Sequence, residues 1–134
     1  LRIEYRKMSH GSAPSQRQLR AGELIRHGLS EILFRGETGD PELESLGVSV
    51  HEVQISPDLK IATAFVRTLV NGADERALAA LNRNRKYIRG LLAKKVDMKF
   101  MPEVRYRIDT ALDYATKIDE LLHRPEVARD LDKT

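Results

Sequence analysis

The fold is organised around segment 82–95, which reads Asn82-Arg83-Asn84-Arg85-Lys86-Tyr87-Ile88-Arg89-Gly90-Leu91-Leu92-Ala93-Lys94-Lys95. The segment carries six Lys or Arg residues and no Asp or Glu. Apolar residues recur at helical spacing up to Leu81 and again from Ile88, but positions 84 and 85 interrupt this stripe with Asn and Arg. The pattern therefore predicts two amphipathic half-helices that meet at a polar, basic junction.

Two interpretations of this junction are open. The first is a solvated joint between two helices, since runs of charge usually form wet surfaces. The second is a phosphate contact at a helix N-terminus, where free N–H groups and the helix dipole favour anions.

The net charge of +3 hides an uneven distribution along the chain. Residues 1–36 carry +4, residues 37–72 carry −4, residues 73–110 carry +5 and residues 111–134 carry −2. Basic charge that is segregated in this way indicates a polyanionic partner. The simpler alternative is that the cations occupy the solvent faces of two helices.

Size and composition predict one globular domain. The chain has 134 residues, of which 41% are hydrophobic, and it has no Cys for disulfides or thiol chemistry. No apolar run approaches the roughly 20 residues that cross a bilayer. We expect residues 1–14 to be a disordered or vector-derived lead-in, residues 15–123 to form the domain and residues 124–134 to be a flexible tail.

The first half of the domain contains one long helix and two strands. A capping box at Ser15 predicts a helix that runs from residue 16 to residue 34 or 35, with Gly36 just beyond its end. Residues 36–47 are expected to form a loop with a turn at Asp40-Pro41. The next strand changes its alternation phase at His51-Glu52, which predicts a β-bulge.

The second strand is predicted from Leu59 to Leu69. Its even positions, Ala62, Ala64 and Val66, are expected to face the helices because a helix can approach closely over small side chains. Ile61 and Phe65 would then lie on the opposite face, partly exposed.

The second half of the domain is predicted to be mostly helical. Asp74 is the expected N-cap of a helix that runs to the junction, and a further helix follows to Lys95. Pro102 precedes a third strand in which Val104, Tyr106 and Ile108 alternate with charged residues. A last helix is predicted from residue 110 or 111 to His123. The order α-β-β-α-α-β-α predicts a two-layer α+β domain with a three-stranded sheet and helices on one face.

The motifs of enzymes are missing from the sequence. The four His residues lack metal-ligand spacing, and neither a phosphate loop nor a dinucleotide glycine pattern is present. We therefore expect no catalytic residues, metal or cofactor.

Several motifs in this order resemble the ribosome-binding factor A family of bacterial small-subunit assembly factors. The matching residues are Asp40-Pro41-x-Leu43, Ser56-x-Asp58-Leu59, Ala62, Ala64, Val66, Leu69, Ile88-Arg89-x-Leu91-Leu92, Pro102-Glu103-Val104 and Asp109. The resemblance covers roughly residues 15–123.

The resemblance implies a type II KH-like fold of order α-β-β-α-(kink)-α-β plus a C-terminal helix. In this family a helix–kink–helix replaces the usual GxxG clamp and typically carries Ala-x-Gly at the kink. Here the aligned positions hold Asn84-Arg85-Lys86, and the next glycine is Gly90. Asn tolerates unusual backbone angles, so either Asn82 or Asn84 carries the bend, or one straighter helix spans residues 76–95.

The resemblance also implies a function. It predicts a cytoplasmic, monomeric, non-enzymatic factor that binds the small ribosomal subunit late in maturation, alongside other assembly factors. Its target would be the 5′ region of the 16S RNA and the neighbouring decoding-region helices, and it would support growth in the cold.

Clustered polar and basic residues are the predicted RNA contacts. They are Arg83, Asn84, Arg85, Lys86, Arg89, Lys94 and Lys95 at the junction, with Arg17, Arg20 and Arg26 of the first helix as a second patch. Because the domain has few aromatic residues, and several of them should be in the core, we expect phosphate and shape contacts rather than base reading.

Three other functions remain as alternatives. A protein-interaction module would dock through the sheet face around Ile61 and Phe65. An enzyme acting on nucleotides would need a metal or a deep polar pocket. A double-stranded-RNA-binding domain would need three consecutive strands between two helices, whereas only two precede the helix at Asp74.

Overall fold

The computed structural model describes residues 13–110. The elements in chain order are α1 (Gln16–Phe34), α2 (Pro41–Leu46), β1 (Ser49–Ile55), β2 (Ile61–Arg67), α3 (Asp74–Arg83), α4 (Arg85–Lys95) and β3 (Glu103–Ile108). The predicted α+β class is confirmed, with one short helix added. The predicted last helix, the tail 124–134 and residues 1–12 of the lead-in lie outside the described residues.

Helix α1 begins and ends where the sequence predicted. The Ser15 hydroxyl accepts a hydrogen bond from the Gln18 amide at 3.1 Å, and the Gln18 side chain accepts one from the Ser15 amide at 2.8 Å. After the helix, Gly36 adopts a left-handed conformation with φ of 64°. The amide of Glu37 can then bond back to the carbonyl of Ile32, which closes the helix end.

Helix α2 corrects the prediction of a loop over residues 36–47. Asp40 is its N-cap and accepts a hydrogen bond from the Glu42 amide at 2.9 Å, and Pro41 is its first residue. Asp40-Pro41 therefore starts a helix rather than a turn. The glycines that flank this short helix led to the prediction of a loop. The helix is held in place because Leu43 and Leu46 are buried.

The three strands form one mixed sheet in the order β1-β2-β3. Strands β1 and β2 are antiparallel, whereas β2 and β3 are parallel and are connected through α3 and α4. Val50 pairs with Val66 and Glu52 pairs with Phe65, so His51 is the extra residue of the predicted bulge. Strand β2 is shorter than predicted because the chain beyond it turns to α2, where the Leu69 amide bonds to the Leu46 carbonyl.

One prediction about the faces of β2 is confirmed and one is wrong. Ala62, Ala64 and Val66 are fully buried in the core between the sheet and the helices. Phe65, expected to be partly exposed on the other face, is only 2% exposed. Phe65 lies on the central strand β2, where it pairs with Glu52 on β1 and Arg107 on β3. The long side chains of these two neighbours cover the Phe65 ring from both sides.

The start of α3 also differs from the prediction. Its N-cap is Ala73, and Asp74 is the first helical residue and makes no capping hydrogen bond. Ala73 is 2% exposed and packs with Leu46 and Ala77. The cap position is therefore an apolar contact with α2, which leaves no room for a polar side chain there.

The core is formed by side chains from all four described helices and the sheet, with Leu43 contributed by α2. The large residues of α1, α3 and α4 that are fully buried in it are Ile25, Leu29, Ile32, Leu81, Ile88 and Leu92. Helix α1 lies very close to β1, because a Cβ atom at Gly22 would be 2.6 Å from the carbonyl oxygen of Val53. Within residues 13–110, no helix combines the length and apolarity that a membrane span requires.

Substitution by Ala at two helical glycines should change the free energy of unfolding in opposite directions. Gly22→Ala should lower the free energy of unfolding by about 1–3 kcal/mol, because the new methyl group overlaps the backbone of β1. Gly90→Ala should raise it by up to about 1 kcal/mol, because Gly90 is an exposed residue of α4 with no atom within 4 Å of the added methyl group. Urea unfolding of both variants checks this, and equal effects would contradict the close approach of α1 and β1.

Candidate nucleic-acid interface

The helical segment around residues 74–95 is broken at Asn84. Helix α3 ends at Arg83 and α4 begins at Arg85, while Asn84 between them has φ of −98° and ψ of 9°. These angles lie in the sparsely populated bridge region rather than in the α-helical one. A straight helix over residues 76–95 is therefore excluded, and Asn84, not Asn82, carries the bend.

The carboxylate of Asp40, which lies outside α3 and α4, accepts hydrogen bonds from the residues at this break. The Asn84 side-chain amide donates to the Ala80 carbonyl at 2.8 Å and to the Asp40 carboxylate at 2.7 Å. Arg83 donates to the same Asp40 oxygen at 2.8 Å and to Glu42 at 3.3 Å. The hydrogen bonds from Arg83 and then Asn84 lower the pKa of Asp40 to about 2, and its side chain is only 13% exposed. One residue at the start of α2 thus fixes both sides of the junction.

Three of the predicted RNA-contacting cations are bound to carboxylates. Arg83 pairs with Asp40 and Glu42, and these contacts raise the pKa of its guanidinium. Lys95 lies 2.7 Å from Glu31 and 3.0 Å from Glu37, which raises the pKa of its ammonium. Arg26 lies 2.9 Å from Glu23 on its own helix. Arg83 and Lys95 therefore tie helices together, because their acidic partners belong to other segments.

The other cations of α4 have no such partners. Arg85, Lys86 and Lys94 are exposed, and within residues 13–110 none of them forms an ion pair. Arg89 donates to the carbonyls of Met101 at 2.7 Å and Pro102 at 3.3 Å, so it anchors the loop before β3.

A groove of about 340 Å³ follows the first turn of α4. It is lined by Arg85, Lys86, Arg89, Glu103 and Val104. The carboxylate of Glu103 is bonded to Arg105 at 2.6 Å, and this bond, together with the nearby Arg85 and Arg89, lowers the pKa of Glu103. The Glu103 carboxylate thus already has a bonded partner in Arg105, whereas Arg85 and Lys86 of the groove are in no ion pair within residues 13–110.

Arg17 and Arg20 lie in a different place from the α4 cations. They border a second groove of about 650 Å³ between the start of α1, the β1–β2 turn and the loop before β3. Lys60 and Lys99 line the same groove, and the sequence prediction missed both because each stands alone in its segment. Only the fold brings these four cations together.

One polar cluster resembles the residues of a catalytic triad. The Ser49 hydroxyl lies 3.2 Å from His51 Nε2, and His51 Nδ1 lies 3.2 Å from the Asp109 carboxylate. His51 is the extra residue of the bulge, and Arg67 donates to the backbone carbonyl of Asp109 at 2.9 Å. These contacts join β1 to the segment after β3, so we assign the cluster a structural role. In the part of the chain that the structure describes, no His, Cys, Asp and Glu group fits a metal ion.

Comparison with known proteins identifies similar sequences. A family model described as ribosome-binding factor A matches residues 17–122. Ribosome-binding factor A of Chelativorans sp. (strain BNC1) is 54% identical over 121 residues, which is 90% of either chain. Ribosome-binding factor A of Rhizobium meliloti (strain 1021) is 50% identical over 126 residues, which is 93% of either chain.

Two solved structures are similar as well. The crystal structure of ribosome-binding factor A from Thermus thermophilus matches with a TM-score of 0.57 and 24% identity, over 68% of this chain and 94% of that one. It shows the common fold. A homology model of the Thermus thermophilus ribosome binding factor A, fitted into the cryo-EM map of a 30S complex, matches with a TM-score of 0.54 and 26% identity, over 66% of this chain and 91% of that one.

The role of Asn84 can be tested against a neighbouring Asn. Asn84→Ala should lower the free energy of unfolding by about 1–2 kcal/mol, because it removes the charge-assisted bond to Asp40 and only part of this is offset by better helix propensity. Asn82→Ala, at an exposed position of α3, should be neutral or slightly stabilising. Urea unfolding at pH 7 compares them, and an Asn84→Ala variant as stable as Asn82→Ala would contradict the assignment.

The depressed pKa of Asp40 predicts a specific dependence on pH. A carboxyl group with a folded pKa of about 2 and an ordinary value of 3.8 stabilises the fold fully above about pH 4. This contribution is lost as the pH falls from about 4 to about 2. The Tm difference between the wild type and Asp40→Asn, which keeps an N-cap for α2, should therefore be largest above pH 4 and shrink below it.

Arg83→Gln removes the main cause of the lowered Asp40 pKa. In an Arg83→Gln background, the Tm difference between the chain with Asp40 and the chain with Asp40→Asn should therefore be smaller. A difference that stays constant between pH 6 and pH 2 would show that the Asp40 charge does not support the junction.

Proposed function

The chain belongs to the ribosome-binding factor A family, and from this we propose that it binds the maturing small ribosomal subunit as a non-catalytic assembly factor. The 30S complex of the similar Thermus thermophilus protein supports this proposal. The family description names binding and no reaction. We place the site of action in the cytoplasm, with the 16S RNA as the main partner.

The observation that carries the proposal is the start of α4. Arg85 and Lys86 occupy its first turn, which contains no acidic residue. Cations at a helix N-terminus add to the positive end of the helix dipole and so cost stability unless an anion is bound there. The N–H groups of a first helical turn also lack partners within the helix. The two effects together favour a phosphate in the groove beside α4.

The contact set that we propose is smaller than the sequence suggested. Arg85, Lys86 and Lys94 reach the phosphates, and Arg89 contributes charge while it holds the loop before β3. Arg83, Asn84 and Lys95 instead position α4, because their polar groups are already bonded to Asp40, Glu31 and neighbouring atoms.

The target within the subunit follows from the family resemblance. We propose contact with the 5′ region of the 16S RNA and with neighbouring decoding-region helices, and a contribution to RNA folding and processing. Such a factor would matter most in the cold, where mispaired RNA helices open slowly. Phosphate contacts suit this role because they orient a protein on RNA without reading its sequence.

The protein-interaction alternative loses its main support in the structure. It required an exposed apolar sheet face around Ile61 and Phe65, but Phe65 is 2% exposed. No other observation on that face, among the residues that the structure describes, favours a protein partner over RNA.

Charge reversal at Arg85 and Lys86 tests the proposed contact. If about four to six phosphates are neutralised, log K for small-subunit binding should fall with log salt at a slope of roughly −3 to −5. The double variant Arg85→Glu/Lys86→Glu should bind about 10- to 100-fold more weakly, and its slope should be smaller in magnitude by about 2. Its Tm should stay nearly unchanged or rise slightly, because both side chains are exposed and acidic residues are favourable in the first turn of a helix. Sedimentation with purified small subunits at two salt concentrations measures these quantities.

The matched control is Arg35→Glu/Arg107→Glu, which changes the net charge equally at two exposed residues outside the groove. This control should retain most of the affinity. An equal loss of affinity in both double variants would show that net charge, and not the start of α4, decides binding. A slope of log K against log salt near zero would contradict phosphate contact altogether.

A further inference from the structure

The second groove has a mixed chemistry that the first lacks. Its volume of about 650 Å³ lies in the range of small-ligand pockets, roughly 300–1,000 Å³. Its apolar side chains come from α1, the β1–β2 turn and the loop before β3, and they are Ala21, Leu24, Leu59, Met98 and Phe100. Cations surround this apolar floor, so the groove offers both a stacking surface and a site for negative charge.

The charges around the groove are strongly unbalanced. Arg17, Arg20, Lys60 and Lys99 line it, against a single carboxylate, Asp58. Asp58 already accepts hydrogen bonds from the Ser56 hydroxyl at 2.7 Å and from the Lys60 amide at 3.0 Å. Across residues 13–110, none of the four cations is in an ion pair. An external anion would complete this arrangement.

The position of Arg17 has an energetic cost that also indicates a bound anion. Arg17 lies in the first turn of α1, which contains no acidic residue, and Arg20 lies just beyond it. A positive side chain is unfavourable in the first turn of a helix. Arg17, beside cations from other segments, therefore breaks a local stability rule at the border of a groove, which is typical of a binding site.

An exposed aromatic ring completes the groove. Phe100 is 76% exposed, whereas Phe65 and Tyr106 are among the aromatic residues that are buried, as expected for several of them. The Lys99 ammonium lies over one face of the Phe100 ring, 5.6 Å from its centre. A planar base would therefore stack on the opposite face, with this cation close to the same ring. Exposed aromatic rings beside cations are the usual platform for unpaired nucleotides.

We infer that this groove binds an unpaired nucleotide of RNA, with the base stacked on Phe100 and its phosphates contacted by Arg17, Arg20, Lys60 and Lys99. The inference rests on the proposed function, because it adds a second contact to the same RNA partner. The loop before β3 links the two grooves: Arg89 of the first groove binds its carbonyls at Met101 and Pro102, and Lys99 and Phe100 of the second groove precede them. In this arrangement duplex phosphates lie at α4 and a single-stranded nucleotide lies at Phe100.

The test uses a fluorescein-labelled single-stranded heptauridylate and a blunt RNA duplex as probes, with fluorescence anisotropy of the full chain. Phe100→Ala should raise the Kd for heptauridylate by about 5- to 100-fold, the range for the loss of one stacked base, and change duplex binding much less. Phe100→Trp should retain the affinity, whereas Phe100→Leu should lose it, which separates stacking from apolar packing.

Phe34→Ala is the matched control, because Phe34 is 92% exposed and borders neither basic groove. The inference is overturned if Phe100→Ala and Phe34→Ala bind heptauridylate equally, or if the wild type does not bind it. A polyglutamate peptide of equal charge gives a third check. The inference is also overturned if this peptide displaces heptauridylate completely and does so equally well from the wild type and from Phe100→Ala. That result would assign the groove to acidic protein segments.

Parallel sedimentation with small subunits separates this inference from the proposed function. If Arg85→Glu/Lys86→Glu releases the subunit but Phe100→Ala changes neither assay, the groove inference fails and the proposed function stands. If the wild type binds heptauridylate through Phe100 but does not bind subunits, the groove is an RNA site and the proposed function fails.

Discussion

The architecture of the proposed interface depends on the carboxylate of Asp40. One of its oxygens caps α2, and the other accepts hydrogen bonds from both Arg83 and Asn84 at the helix break. A break in a helix leaves backbone groups that need other partners. The Asn84 side chain bonds one of them, the Ala80 carbonyl, and Asp40 fixes that side chain in place from the start of α2, a helix of only six residues.

The ion pairs of the molecule divide its cations into two groups. Arg83 and Lys95 bridge separate segments through carboxylates and stabilise the packing of α2 and α1 against α3 and α4. Arg85, Lys86 and Lys94 have no such partner within residues 13–110 and project into solvent. A cation that is already paired gains little from a phosphate. The division therefore limits the proposed phosphate contacts of segment 82–95 to its unpaired cations.

The loop before β3 connects the two basic grooves. Arg89 fixes one end of it to α4, and Lys99 and Phe100 carry the aromatic and cationic groups of the second groove. These hydrogen bonds hold the loop on α4 before RNA binds, which lowers the entropy lost on binding. The parallel pairing of β2 and β3 brings the same loop next to Lys60 at the start of β2.

Local sequence patterns alone determined most of the elements: the capping box of α1, the bulge at His51, the small residues of β2 and the interruption at positions 84 and 85 were all predicted correctly, because hydrophobic periodicity and caps act over a few residues. Tertiary structure decided the rest. It buried Phe65 and Ala73, formed α2 from a glycine-rich segment, chose Asn84 over Asn82, and sorted the cations into paired and unpaired ones. The choice of Asn84 and the pairing of cations depend on partners such as Asp40 and Glu31, which lie far away along the chain, so no local pattern could have revealed them. The Asp40 cap and Pro41 are local signals for the start of α2, but this short helix is held by the burial of Leu43 and Leu46, which only the tertiary structure provides.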